Sequence, residues 1–274
     1  MTTTLHGIDI SHWQAGLQLA KTDAQFALFK ATDGTSYVDA CCDGFVTQAK
    51  RAGLPWGVYH FWQGNPTAEA DHFVDSVAGY VGDAMLVLDF EGAHATSPSA
   101  AKTWLDRVYD RTGVRPLIYM SQSVTHQFDW TAVAKDYALW VARYGSSSYG
   151  DTGAWAAPAM WQYTDAHKTG GYSVDGDYFY GDEAAWAAFA SGGNAHTDND
   201  TGGDWFDMAT KKDLEDAVLA VLKSSDGRKA IANAAWNTDG VIEAPDGEGA
   251  KDNPYWTGRG WLGSIRTQAM TKDE

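Results

Sequence analysis

The chain has 274 residues, a formal net charge of −16 from 36 Asp and Glu against 20 Lys and Arg, and 13 Trp beside 13 Tyr. That length suits one domain of about 190 to 250 residues with or without a small appendage. The acidity, with no dense Lys/Arg run, excludes a phosphate-tracking surface and therefore a nucleic-acid partner. Two adjacent cysteines, Cys41 and Cys42, exclude a disulfide-stapled scaffold, and the histidines show no Cys/His or HExxH spacing, so neither a metal nor a cofactor is expected.

Met1–His6 has no basic stretch followed by an apolar one, so no signal peptide is expected and the protein is placed in the cytoplasm on synthesis. No run of about 18 apolar residues predicts a membrane span. Strand-like runs then recur along the chain: Gly7–Ser11, Phe26–Thr32, Trp56–Trp62, Ala84–Glu91, Pro116–Ser121, Ala138–Tyr144, Ala159–Tyr163 and one near Tyr172–Tyr180. They are apolar on both faces, as strands buried between a barrel interior and covering helices must be. Amphipathic helices are predicted over about Ala40–Ala52, stopped by Gly53 and Pro55, from Pro66 onward with Phe73, Val77 and Val81 in one stripe, and over Pro98–Thr112 behind Ser97. Alternating strand and helix implies a parallel sheet. Eight strands in so few residues are short for a complete (β/α)₈ barrel, so helices should be missing after the later strands.

Residues 191–204 (SGGNAHTDNDTGGD) read as a flexible linker. Thr210–Lys223 then predicts a helix with Leu214, Val218, Val221 and Leu222 as its stripe. The expected organisation is a barrel over 1–190, a linker over 191–204 and a mainly helical or irregular extension over 205–274.

The fourth run ends in Asp89-Phe90-Glu91. Alternate residues of a strand share a face, so both carboxylates point the same way at the end where barrel active sites lie. Close carboxylates raise one another's pKa, which suits a general acid, and glycoside hydrolysis ordinarily uses two such groups. The plainer alternative is that one pairs with Arg or Lys. Asp9 stands between Ile8 and Ile10 in the first run, where it costs free energy unless satisfied or used. Asp175 lies in Val174-Asp175-Gly176-Asp177 of the last run and also fits an Asx-turn. In a closed barrel the first and last strands are neighbours, so these acids would meet at one mouth. Tyr59, Phe61, Tyr119, Trp140, Trp161, Gln162 and Tyr163 sit at the same strand ends, where rings and amides suit sugars. His60 is expected as a hydrogen-bonded wall residue.

Seven segments then carry a resemblance: HGIDISHWQ at His6–Gln14, FKATDG at Phe29–Gly34, GVYHF at Gly57–Phe61, LDFE at Leu88–Glu91, LIY at Leu117–Tyr119, WQY at Trp161–Tyr163 and VDGDYF at Val174–Phe179. In this order they resemble the glycoside hydrolase family 25 muramidases, the Chalaropsis-type lysozymes. The resemblance implies an α/β fold of the (β/α)₅(β)₃ kind and cleavage of the β-1,4 bond between N-acetylmuramic acid and N-acetylglucosamine. It makes Glu91 the proton donor, Asp89 its partner, and Asp9 and Asp175 the other acids. Asp33 stands where the family usually has Glu, and Asp177 where it usually has Asn, which leaves open whether Asp175 or Asp177 faces the sugar. The partner is then bacterial peptidoglycan, and the setting that of a phage endolysin released from the host cytoplasm by a holin-like permeabilising partner. A chitin-type glycosidase and a catalytically silent wall-binding lectin are the competing readings.

Overall fold

Residues 3–192 and the strands Ile242–Glu243 and Tyr255–Trp256 are described in a computed structural model. The elements up to Gly192 are β1 (Leu5–Ile10), β2 (Phe26–Asp33), β3 (Tyr37–Val38), α1 (Cys42–Ala52), β4 (Trp56–Phe61), α2 (Pro66–Val77), β5 (Met85–Asp89), α3 (Pro98–Thr112), β6 (Leu117–Ser121), α4 (Thr131–Ala134), β7 (Leu139–Ala142), β8 (Met160–Thr169), β9 (Tyr172–Phe179) and α5 (Glu183–Ser191). The sheet runs β1-β9-β8-β7-β6-β5-β4-β2, and pairing of β2 with β1 closes it into an eight-stranded barrel. β3 is a short hairpin partner of β2.

Seven barrel strands are parallel, and β9 runs against both of its neighbours, β8 and β1. The expectation of a parallel sheet is corrected at that strand. Its cause is Gly170-Gly171, both at positive φ, as a two-residue primed hairpin turn requires. Helices thin out as expected: α4 has four residues, and none lies between β7 and β8.

Period-two alternation sorts the core. Leu5, Phe26, Leu28, Met85, Val87, Leu117, Met160 and Phe179 fill the barrel, while Ile8, Phe29, Val58, Leu86 and Ile118 face the helices. At the floor, Trp186 of α5 packs on Phe26 and Phe179 with ring centroids 4.7 and 5.1 Å away and donates its indole N–H to Trp56 O at 3.2 Å. Gly57 is needed in this interior, because a Cβ there would lie 2.7 Å from Met85 O.

The helices follow their end signals. Ser97 Oγ accepts from Ala100 N at the start of α3, and Gly113 closes it at φ 72°. The stripe read from Pro66 is one residue too long: Phe73 and Val77 are buried in α2 and its last turn, but Val81 lies beyond the following 3₁₀ turn and is half-buried.

The chain divides into two units, Met1–Thr197 and Asp198–Glu274. In the second, Ile242–Glu243 pairs antiparallel with Tyr255–Trp256. The linker reading, apart from Ser191 and Gly192 at the end of α5, and the Thr210–Lys223 helix fall outside the described residues. No helix among the described residues is long and apolar enough to cross a membrane.

Candidate active site

The parallel strands end at one mouth of the barrel, where a cleft of about 170 Å³ is lined by Asp9, Ser11, Trp13, Lys30, Tyr59, Phe61, Asp89, Glu91, Tyr119, Trp140, Gln162 and Asp175. Each acid arrives there by strand geometry. β5 ends at Asp89, but Trp62 N–H donates to Asp89 O at 3.0 Å and Phe90 N–H to Tyr119 O at 2.9 Å. The chain therefore stays extended past the strand, and Glu91 keeps the face of Asp89. Asp9 and Asp175 stand directly opposite one another in the β1–β9 pairing, a like-charge placement that sheets avoid.

An amide holds Asp9 in place. The hydroxyls of Tyr119 and Tyr144 donate to Gln162 Oε1, the first at 2.8 Å, so Gln162 must present its Nε2, which donates to Asp9 Oδ2 at 2.7 Å. Asp177, two pairs deeper, is fully buried and accepts from Trp140 Nε1 at 2.9 Å. Its Oδ2 meets no N–H or O–H donor and lies against the carboxyl of Asp9. Two carboxyls in contact hold together only when one keeps its proton.

Electrostatics follow from crowding. Burial and repulsion from Asp175 raise Asp9 well above the carboxylate range. Burial, then Glu91 and Asp9, do the same to Asp89. Asp175 is raised to about 6 by burial, then by Asp165 and Glu91. Burial raises the half-buried Glu91 against the opposing pull of Lys30. Lys30 is the one basic residue lining the cleft; its ammonium lies 2.7 Å from Asp33 and 4.5 Å from the centre of the Phe61 ring. The acids therefore lose their protons as a group, above the ordinary carboxylate range. Asp89 Oδ1 is buried without a hydrogen-bond partner. An orphan acceptor facing a cleft is poised for a ligand's donor.

Of the residues singled out in the sequence, Asp9, Asp89, Glu91, Asp175, Tyr59, Phe61, Tyr119, Trp140 and Gln162 line this cleft. Two do not. Trp161 sits on the outward face of β8, buried in the outer core, with its indole donating to Arg143 O at 3.0 Å. Asp177 lies beneath Asp9 rather than at the surface of the cleft, and of the two last-strand acids Asp175 is the one exposed to it. Alternation explains the first, since Gln162 points inward and Trp161 cannot. Ser11, Trp13 and Lys30 were not foreseen. Trp13 is 80% exposed at the lip, and its signal was a bulky apolar residue in a polar turn directly after a strand carrying a buried Asp. His60 is a wall residue: Thr32 Oγ1 lies 2.8 Å from its Nδ1 and Glu69 Oε2 2.9 Å from its Nε2.

Comparison with known proteins adds to this geometry. Residues 8–172 match Glycosyl hydrolases family 25. Lysozyme M1 of Streptomyces globisporus is 32% identical over 213 residues, 69% of this chain and 72% of that protein. The N,O-diacetylmuramidase of a Chalaropsis species is 29% identical over 198 residues, 61% of this chain and 92% of that one. The crystal structure of a bacterial lysozyme from Streptomyces coelicolor superposes with a TM-score of 0.62 at 30% identity, covering 70% of this chain and 99% of that chain. With a closed barrel, a mouth crowded by carboxyls and this match along most of the barrel, the chain belongs to glycosyl hydrolase family 25 and is a glycoside hydrolase.

Proposed function

We propose that the protein is a muramidase, hydrolysing the β-1,4 bond between N-acetylmuramic acid and N-acetylglucosamine in bacterial peptidoglycan. The convergence of Asp9, Asp89, Glu91 and Asp175 on one cleft carries this reading, supported by the lysozyme and muramidase names of the relatives. Glu91, half-buried and raised by burial, gives its proton to the glycosidic oxygen. The substrate's 2-acetamido oxygen attacks the anomeric carbon as that bond breaks. The unpartnered Asp89 Oδ1 accepts the acetamido N–H and stabilises the charge that develops there. Glu91, now a carboxylate, takes a proton from the water that opens the cyclic intermediate, and the configuration is retained. Substrate assistance is a recognised alternative to two opposed carboxylates. It suits this site because Asp89 and Glu91 share one face of one extended segment and cannot grip opposite faces of a ring. Trp13 and Phe61 offer rings on which sugars stack, and Tyr119, Trp140 and Gln162 form the floor.

Mass spectrometry of digested walls tests the bond: reducing N-acetylmuramic acid ends are expected, and reducing N-acetylglucosamine ends, or preferred turnover of soluble chitin, refute it. Glu91→Gln should lower wall lysis by several orders of magnitude while the protein still sediments with walls; full lysis by that variant removes Glu91 from its role. The α-anomer of the product, caught before mutarotation, would refute retention. The finer role is that of a phage endolysin made in the host cytoplasm and let out by a holin-like partner, with the wall-binding or oligomerising part assigned to residues 205–274. Its test is expression inside bacteria: lysis should wait for membrane permeabilisation, and lysis without it excludes the role.

A further inference from the structure

β1 carries Asp9 inward and His6 outward, and His6 belongs to a second cluster that shares no residue with the cleft. One ligand atom each of His6, Asp23 and His167 lies within 4.8 Å of the others. The three come from distant segments: the start of β1, the turn before β2 and the outer half of β8. His167 Nε2 is 3.1 Å from Asp23 Oδ1. In a tetrahedral zinc site with bonds of about 2.0–2.2 Å, neighbouring ligand atoms stand roughly 3.3–3.5 Å apart, so this edge is already close to the required length. The exposed carboxylate of Asp23, on a turn, supplies the adjustment that the third ligand needs.

The surroundings orient the rings. Tyr163 OH lies 2.8 Å from His6 Nε2 and 3.5 Å from His167 Nδ1 and so restrains both rings. Tyr163 fits there because Gly176 has no Cβ; one would lie 2.9 Å from the phenol ring. Thr169 Oγ1 accepts from Asp23 N at 3.1 Å and holds the turn. Two imidazoles and a carboxylate suit zinc, whereas magnesium and calcium require oxygen ligands.

We propose that His6, Asp23 and His167 form a zinc site on the outer barrel wall, pinning the β8–β9 hairpin to the start of β1 and to the turn before β2. The site would clamp the seam where the reversed strand closes the barrel. No sequence spacing announces it, because its ligands come from three segments that only the fold brings together.

The test uses tag-free full-length protein stripped with a chelator, titrated with Zn²⁺ and followed by calorimetry and thermal unfolding. One Zn²⁺ per chain is expected, and at a hundredfold excess over Kd the Tm should rise by roughly 5–10 °C. Mg²⁺ should give no shift. His167→Ala and Asp23→Asn should each weaken Zn²⁺ binding at least tenfold and abolish most of the shift, while zinc-free lysis stays that of the parent. Asp23→Asn alters an exposed group that keeps its size, so its fold is secure. No zinc-dependent shift in the parent, or a shift that survives in both variants, overturns the site.

Discussion

Replacing Asp175 by Asn should stabilise the enzyme above neutrality while impairing it. The Asp175 carboxyl sits at about 6 in the folded barrel against 3.8 in an unfolded chain. The folded state therefore holds this proton more tightly. Its contribution to stability is complete below about pH 3.8 and is lost as pH rises through 6. Across that window the loss has a ceiling of about 3 kcal/mol. Asp175 is only partly buried, and screening by water reduces this to about 1–2 kcal/mol. An amide does not titrate, so the variant escapes the loss. For a domain of this size about 1–2 kcal/mol is roughly 2–8 °C in Tm. Thermal unfolding at pH 3.5, 5, 6 and 7.5, followed by near-ultraviolet circular dichroism, measures it. The difference between variant and parent should be near zero at pH 3.5 and reach its plateau above pH 6.5. Asp9, raised in part by repulsion from Asp175, is raised less in the variant, which adds to the difference with the same sign. A difference that stays flat with pH, or favours the parent at pH 7.5, refutes the argument that burial, with Asp165 and Glu91 nearby, raises Asp175.

Asp177→Asn should keep lysis within about tenfold of the parent, because the amide both accepts from Trp140 and donates to Asp9; Asp177→Leu orphans the indole N–H, costs about 2–4 kcal/mol by urea unfolding and lowers lysis at least a hundredfold. If the Asn variant is no better than the Leu variant, the shared proton between Asp9 and Asp177 is not what positions Asp9. Trp186→Ala removes a buried ring at the barrel floor and should cost about 3–5 kcal/mol, with activity per folded molecule unchanged in a lysis assay at low temperature.

The acids were legible because each broke a rule of its surroundings. Asp9 between two isoleucines and paired carboxylates at a strand end are expensive in a core, and the structure uses both at the mouth. For Trp161 the sequence supplies no phase: in a run of apolar and aromatic residues, alternation tells which neighbours share a face but not which face is inside. Gln162 settles that phase only once its bonds to Asp9 and Tyr119 are seen. The reversal of β9 has a readable sign in Gly170-Gly171, a two-residue turn between strand-like runs that leaves no length for a crossover helix. Lys30 gave no sign at all, since a lysine in an apolar strand reads as a snorkelling side chain until Phe61 and Asp33 stand beside it.

Closure of the barrel has a kinetic consequence. The ladder that closes it joins Leu5 to Phe179 and Asp9 to Asp175, partners separated by almost the whole domain. Pairings so remote in the chain are slow to nucleate. Until β9 emerges and docks, β1 is a bare edge, and Asp9 lacks both the residue opposite it and the carboxyl beneath it. A partly made or prematurely ended polypeptide thus has no assembled mouth, and hydrolytic power arrives with the final strand, all at once.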